Sequence, residues 1–317
     1  MKISSRIIVF IIVILLLVGC VQNTDFSSDV VDIGTMEVHI FGIGRSDSIL
    51  ITTENHAVLI DTGERQHGPY IAQYLLEQDI ITIDYLIITH FDRDHVGGAY
   101  VIISEIDVTN VIVPNYSRES NHVDRFEVAL EEAQIEPLIL TETMMFTLDF
   151  AEFIVDPSDL EYFHFARDQY IYQDDVATDE TEQPTGDDYS IIVSISHGDN
   201  NFLFTGDAVA GRLQELLEND EIMSIDYDFL KMPRHGRHNR RSVEFIHTIK
   251  PRYAVITGFH PDFISDYYPE RPTDERVLEA LEYVGAEIFF AMSIGILTTS
   301  DGVSLTFEYV DFFANMR

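Results

Sequence analysis

A cluster of metal-binding residue types follows an apolar run in the first third of the chain. The run YLIIT (residues 85–89) leads into HFDRDH, which holds His90, Asp92, Asp94 and His95 within six positions. Buried imidazoles and carboxylates lose their hydration unless something binds them, and this mixture of nitrogen and oxygen donors suits a divalent metal. A loop after a strand can turn all four side chains to one side. A helix N-cap would explain one carboxylate and neither histidine, so the pattern predicts a metal site.

Further candidate ligands stand at the ends of other apolar runs. FLFTGDA places Asp207 after a predicted strand and a glycine, and FLKMPRHG places His235 after another strand. VLIDTG places Asp61 at a third strand end, where a carboxylate would orient a metal-binding histidine from behind. The sequence therefore predicts that Asp207 and His235 join the cluster as ligands and that Asp61 supports it.

Hydrophobic periodicity predicts the elements that must position these residues. Short apolar runs predict strands at 36–44, 48–53, 56–63, 85–89, 110–113, 137–140, 144–155, 189–196, 201–205, 227–231, 252–257, 286–290 and 302–309. Helical spacing predicts helices at 67–79, 121–134, 208–219, 241–249 and 273–284. This content indicates the α/β class, and no composition break divides residues 35–310, so we expect a single domain over 35–317. Residues 166–188 are acidic and lack an apolar period, which predicts a long exposed loop.

Composition narrows the classes of function. Hydrophobic residues make up 46% of the 317 residues, so a large core is available and the composition argues against wholesale disorder. The 55 acidic and 19 basic residues give a formal net charge of −36, which argues against a stable complex with nucleic acid or anionic lipid. A single cysteine excludes an intrachain disulfide and a zinc–thiolate site.

The N-terminus is typical of an exported lipoprotein. A basic start, with Lys2 and Arg6, precedes an apolar stretch from Ile7 to Val18 that is short for a bilayer span. The stretch ends in LVGC, which resembles a bacterial lipoprotein cleavage box with Cys20 as the lipidated residue. This predicts a signal peptide over 1–19, a tether over 20–34, and an extracytoplasmic, membrane-anchored protein. The alternative is a simple uncleaved anchor.

The order of the motifs resembles the metallo-β-lactamase superfamily. DTG, then THxxxDHxGG, then F-x-GD, then K-x-x-x-HG follow one another over about residues 36–310. VHIFGIGRSDSILI and LKMPRHG are similar, more narrowly, to the hydrolase domain of ComEC-type DNA-uptake competence proteins. The resemblance implies an αββα sandwich with two metals in a groove at one edge of the sheets, and the activity of a metal-dependent hydrolase.

The same resemblance implies a ligand for each position of the two-metal site. The implied ligands are His90 and Asp92 for one metal, Asp94, His95 and His235 for the other, and Asp207 as the bridge. A further ligand should precede the strand SIIVSI, where Asp188 is the predicted residue and Asp187 the alternative. Asp94 is predicted to be catalytic and to orient the attacking water.

A basic segment surrounds His235 and suggests an anionic substrate. Arginine forks match phosphate oxygens, and the substrate-binding residues predicted from this segment are Arg234, Arg237, His238 and Arg240. Lys231 and Arg241 belong to the same basic segment. The alternative is that this segment is a basic helix start whose charges balance acidic neighbours. Carboxylate-rich ligation favours manganese beside zinc. We therefore expect a two-metal phosphodiesterase acting on DNA or a smaller phosphodiester; the alternatives are hydrolysis of a lactone or amide ring, or a degenerate binding module.

The chain departs from the ComEC-like pattern at three places, which puts the substrate in question. The first glycine-rich turn reads Gly44-Arg45-Ser46-Asp47, which is bulkier than the usual version. Arg234 replaces the first of two expected histidines, and Arg271 stands where a histidine is common.

Overall fold

A computed structural model describes residues 33–166, 184–261 and 272–314. Its strands are β1 Met36–Ile40, β2 Ile49–Thr52, β3 Ala57–Ile60, β4 Thr82–Ile87, β5 Asp107–Val113, β6 Tyr116–Arg118, β7 Leu138–Ile139, β8 Met144–Leu148, β9 Ala151–Asp156, β10 Phe163–Phe165, β11 Ile192–His197, β12 Asn200–Phe204, β13 Phe229–Lys231, β14 Tyr253–Ile256, β15 Glu287–Phe290, β16 Gly295–Ser300 and β17 Leu305–Val310. Its α-helices are α1 Gly68–Glu77, α2 Arg93–Val96, α3 Ala99–Glu105, α4 Asn121–Ala133, α5 Ala210–Glu218, α6 Asp220–Met223, α7 Ser242–Ile249 and α8 Glu275–Val284. Two 3-10 turns lie at Gly186–Tyr189 and Pro233–Gly236.

The strands form two large mixed sheets. The first sheet has the order β17-β16-β1-β2-β3-β4-β5-β7, and the second has the order β15-β14-β13-β12-β11-β9-β8. In the first sheet β3, β4, β5 and β7 run parallel, and in the second β12 to β15 run parallel. A short parallel pair, β6 with β10, lies outside both sheets.

Alternating side chains build three apolar layers, which explains why the strands are buried on both faces. Val38 of β1 and Phe153 and Val155 of β9 pack in the cluster between the sheets. Phe41 faces the other way, into a cluster with the apolar faces of α1, α3 and α4. Ile154 faces the third cluster, with α5, α7 and α8. The result is the αββα sandwich that the sequence predicts, within one compact unit that begins at Ile33.

The predicted elements differ from the structure at several places, and the short elements α2, α3, α6, β6 and β10 were not predicted. The predicted strand 144–155 is a hairpin, because Asp149 adopts a left-handed φ of 49° between β8 and β9. The strand β16 was not predicted either, although every residue of β1 pairs with it. Only the two ends of the predicted loop 166–188 are described, and its C-terminal end forms a 3-10 turn.

Several N-terminal predictions fall on residues outside the described ranges. The signal peptide, Cys20 and nearly all of the tether belong to residues 1–32, and Arg271 lies outside as well. Within the described ranges, no helix has the length and apolar character needed to span a bilayer.

Candidate metal centre

The loop after β4 presents the HFDRDH cluster. It runs from the end of the strand into the single turn of α2, with Asp92 at the N-cap and Asp94 and His95 in the first turn. Asp92 makes no side-chain capping hydrogen bond, so the capping explanation for this carboxylate is wrong. The imidazoles of His90 and His95 are completely buried, with their ring centroids 4.0 Å apart.

The second sheet contributes its residues from the ends of two parallel strands. Asp207 follows β12 after Gly206, whose φ of 49° and close approach to Thr89 leave little room for a side chain. His235 follows β13 in a 3-10 turn, where both Arg234 and His235 have left-handed backbones, with φ of 50° and 53°. Non-glycine residues adopt this conformation only where the surroundings hold them, and such sites are often functional.

The side chains from the two sheets meet at Asp207. Its Oδ1 lies 3.6 Å from Nε2 of His95, and its Oδ2 lies 3.4 Å from Nε2 of His235. The Nε2 atom of His235 is also 3.4 Å from Oδ2 of Asp94. The predicted bridging residue therefore stands between the ligand candidates of the two sheets.

Four buried polar atoms in this cluster have no hydrogen-bond partner among the described residues: Nε2 of His90, His95 and His235, and Oδ1 of Asp207. Leaving one such atom unsatisfied costs about 1–3 kcal/mol, so a group of four converging on one place needs a ligand. Imidazole nitrogens together with carboxylate oxygens are what a divalent metal binds. The residues therefore fit the predicted metal site.

The Nδ1 nitrogen of each of these three imidazoles has a polar side-chain partner. Nδ1 of His95 contacts Oδ2 of Asp61 at 2.7 Å, and Asp61 also accepts hydrogen bonds from the Thr89 backbone N–H and hydroxyl. Nδ1 of His90 lies 3.1 Å from the Thr89 hydroxyl, and Nδ1 of His235 lies 3.0 Å from the Thr257 hydroxyl. These contacts aim every Nε2 at the metal site. The sequence predicted the place of Asp61 but missed Thr89, two residues after β4, and Thr257, directly after β14.

Asp187, rather than Asp188, faces the cluster. The Asp188 carboxylate accepts hydrogen bonds from the backbone N–H and hydroxyl of Thr185, both at 2.8 Å, because it is the N3 residue of a capping box whose N-cap is Thr185. Oδ1 of Asp187 lies 3.8 Å from Nε2 of His90, and His90, Asp92 and Asp187 have ligand atoms within 4.8 Å of one another. The structure therefore corrects the predicted ligand Asp188 to its alternative, Asp187.

Buried cations surround the carboxylates of the cluster. Arg118 on β6 pairs with Asp92, a contact that the sequence did not indicate, and Nε of Arg234 lies 3.1 Å from Oδ2 of Asp187. Lys231 is completely buried and pairs with Asp47, so this part of the basic segment cannot face a substrate. Asp47 was noted in the sequence only as part of an unusual turn.

The remaining predicted substrate residues lie on the loop between His235 and α7. Arg237 and His238 are half-buried, and Arg240 is exposed. Arg234 is held by Asp187, with 17% of its side chain exposed, so the structure gives it a partner inside the cluster.

The metallo-beta-lactamase superfamily profile matches residues 41–260, which is more than half of the chain and includes every ligand candidate. This chain belongs to the metallo-beta-lactamase superfamily. It is a metal-dependent hydrolase of that superfamily, and the predicted dependence on divalent metal ions follows from the same membership.

Two curated bacterial proteins share this metallo-beta-lactamase region at modest identity. ComE operon protein 3 of Bacillus subtilis (strain 168) is 26% identical over 241 residues, covering 70% of this chain and 28% of that protein. Recombination protein 2 of Haemophilus influenzae is 23% identical over 231 residues, covering 71% of this chain and 24% of that protein. The predicted resemblance to ComEC-type proteins is confirmed, and the chain spans about a quarter of the length of these relatives.

Solved structures confirm the metallo-beta-lactamase fold. The metallo-beta-lactamase fold protein YhfI from Bacillus subtilis superposes with a TM-score of 0.50 at 11% identity, covering 84% of this chain and all of that one. CmlA beta-hydroxylase superposes with a TM-score of 0.50 at 12% identity, covering 83% of this chain and 53% of that one. At these identities the likeness extends to the fold alone.

Opposite charges balance one another within the metallo-beta-lactamase site. Burial alone would lower the pKa of His235, but the negative charges of Asp207 and Asp47 outweigh it and raise that pKa to about 10. Burial alone would raise the pKa of Asp207, but the imidazoles of His235 and His95 hold it well below the usual range. A metal that binds these imidazole nitrogens must displace their protons, so metal binding releases protons to the solvent.

Proposed function

We propose that this metal-dependent hydrolase is a two-metal phosphodiesterase that acts on DNA or a smaller phosphodiester. The observation that carries the proposal is the position of Asp207, whose carboxylate lies within 4.8 Å of a ligand nitrogen of His90 on one side and places Oδ2 3.4 Å from Nε2 of His235 on the other. A carboxylate placed in this way can serve two cations at once, as in sites that clamp both sides of a phosphoryl displacement.

The ligands fall on either side of Asp207. His90, Asp92 and Asp187 would hold one metal, and Asp94, His95 and His235 the other. The carboxylate-rich set suits manganese or zinc. Bound metals would supply Lewis-acid stabilisation of the phosphoryl oxygens and lower the pKa of water.

Asp94 is proposed to orient the attacking water. Burial favours its neutral form, but the charges of His235 and His95 outweigh burial and hold the pKa of Asp94 below its usual value. Asp94 therefore remains a carboxylate and can accept a hydrogen bond from water. Its own Oδ2 is 3.4 Å from His235, so its position is fixed within the site.

An anionic substrate is supported by the loop that follows His235. Arg237, His238 and Arg240 lie at least partly exposed on this loop, directly after a candidate ligand. Arginine can hold a phosphate with two parallel hydrogen bonds. One relative at modest identity is named Recombination protein 2, which fits a nucleic-acid substrate. The net charge of −36 opposes lasting attachment to a polyanion, so we expect turnover without a stable complex.

The proposal includes a location outside the cytoplasm, with a lipid on Cys20 as the membrane anchor. It rests on the LVGC box after a short apolar stretch. A Cys20→Ser variant should appear in the soluble fraction of the expressing cells, and a variant that stays with the membrane would refute the lipid anchor.

The first test is hydrolysis of single-stranded DNA and of bis(p-nitrophenyl) phosphate by the purified chain with Mn²⁺ or Zn²⁺. Asp94→Asn is the inactive control, and Asp199→Asn, an exposed acid in the β11–β12 turn, is the neutral control. Activity that chelator and Asp94→Asn both abolish supports the proposal. Metal binding without cleavage of either phosphodiester would refute it, and hydrolysis of a lactone panel would then identify the alternative reaction.

A further inference from the structure

The candidate ligands form two groups, and Asp207 reaches both, because it lies within 4.8 Å of His90 and 3.4 Å from His235. The first group consists of His90, Asp92 and Asp187, and the second group consists of Asp94, His95 and His235. Within each group the ligand atoms lie within 4.8 Å of one another. By ligand count alone, the two groups look equally able to hold a divalent ion.

The carboxylates of the first group already have arginine partners. Arg118 contacts Asp92 directly, and Arg234 lies 3.1 Å from Asp187. The side chains of Arg118 and Arg234 are only 5% and 17% exposed, so solvent screens their charges weakly. A guanidinium stays protonated in proteins. A metal in the first group must therefore share both carboxylates with fixed positive charges.

The second group has no such competitor. Among the described residues, no lysine or arginine lies within 4.0 Å of Asp94, whose ion pair is with His235. Lys231 is paired with Asp47, and its Nζ is 3.9 Å from the shared Asp207. The Nε2 atoms of His95 and His235 are buried and unsatisfied. A metal entering the second group gains ligands without displacing an arginine.

We infer that the two groups bind divalent metal unequally, with one tight ion in the second group and a weaker ion in the first. Arg118 and Arg234 set the difference, because each must yield carboxylate oxygens to the weaker ion. The inference needs only metal binding, so it does not depend on which bond the enzyme hydrolyses.

The test counts metal ions directly. The metal-free full-length chain is titrated with Zn²⁺ by calorimetry, and metal retained after dialysis is measured by mass spectrometry. We expect one retained ion and a second that binds at least about tenfold more weakly. Two ions of equal affinity would overturn the inference.

Variants assign the two ions to their groups. His235→Ala should abolish the tight ion, whereas Asp187→Asn should leave it; the reverse result contradicts the assignment. Arg234→Gln and Arg118→Gln should each strengthen the weak ion by about tenfold, and Arg234→Lys, which keeps the charge, should not.

Circular dichroism checks that each variant is folded. If Arg118→Gln does not fold, Arg234→Gln carries the test, because the side chain of Arg234 is the more exposed of the two. Folded glutamine variants that leave the weak ion unchanged would refute the role of the arginines.

Discussion

The two rims of the metal centre are built differently. The first rim is the loop after β4, which brings four ligand candidates within six residues, His90 to His95. The second rim collects Asp187, Asp207 and His235 from three separate segments around the second sheet. A rim formed by one loop depends on local sequence, whereas a rim formed by three segments depends on the packing that holds them together.

The supports behind the histidines differ in the same way. His95 on the first rim is backed by the carboxylate of Asp61 at 2.7 Å, and His235 on the second rim by the hydroxyl of Thr257 at 3.0 Å. His235 also lies on a left-handed backbone. The first rim thus relies on a close charged contact, whereas the second combines a neutral hydrogen bond, a longer contact with the Asp47 carboxylate at 3.4 Å and a held backbone conformation.

Asp207→Ala should impair both rims, because Oδ1 of Asp207 faces His95 on the first rim and Oδ2 faces His235 on the second. We expect the rate of phosphodiester hydrolysis to fall by about a thousandfold or more, since metal coordination contributes several kcal/mol to transition-state stabilisation. Steady-state kinetics and metal content are measured together, with Asp199→Ala as the exposed control. Retention of both metals and full activity would contradict the shared role of Asp207.

Arg212→Met should show how strongly the second rim depends on packing. Arg212 is 2% exposed, contacts Oδ2 of Asp156 at 2.6 Å, and donates to the backbone carbonyl of Ser190, close to Asp187. Breaking this buried pair should cost about 3–5 kcal/mol of unfolding free energy in urea. Arg276→Met removes an exposed pair with Asp274 and should cost about 0–1 kcal/mol. Equal losses in the two variants would argue against the anchoring role.

Asp61→Asn should weaken the first rim through the support of His95. Loss of the charged contact should reduce metal affinity or activity by about 10–100-fold. The affinity is measured by competition with a chromophoric chelator, and thermal unfolding reports on the fold. An unchanged affinity in a folded variant would show that His95 needs no charged support.

Thr257→Val should have the smallest effect of the four. It removes one hydrogen bond to His235, worth about 1 kcal/mol or roughly fivefold in affinity, and also the hydrogen bond that the Thr257 hydroxyl donates to Oδ1 of Asp47. Oδ1 of Asp47 remains 3.4 Å from Nδ1 of the same imidazole. The same chelator competition measures the metal affinity of this variant. A larger loss of affinity than in Asp61→Asn would show that the Thr257 contact matters more than the Asp61 contact.

The sequence predicted what local pattern determines. The HFDRDH cluster is contiguous, and Asp207, His235 and Asp61 each follow an apolar strand. Their positions at strand ends are enough to identify them as candidates. The αββα fold came from the order of the motifs and was confirmed.

The sequence-based prediction failed where contacts between distant segments determine which residues meet. Asp187 and Asp188 are adjacent acids, and the 3-10 turn that begins after Thr185 determines which of them caps and which faces His90. Arg118 gives no local signal, because it reaches Asp92 from the outlying strand β6. The strand β16 is recognised by its partner β1, which lies at the other end of the described chain.

The pairing of β1 with β16 has a consequence for how the enzyme becomes active. Met36 lies opposite Ser300, so the first sheet stays incomplete until synthesis has passed residue 300. Pairing across such a separation is slow, because the loop entropy is lost before the contacts form. The loop that carries His90 to His95 extends from this sheet. A chain that has not been synthesised past residue 300 would therefore lack a finished catalytic centre, and hydrolysis would begin only after that point.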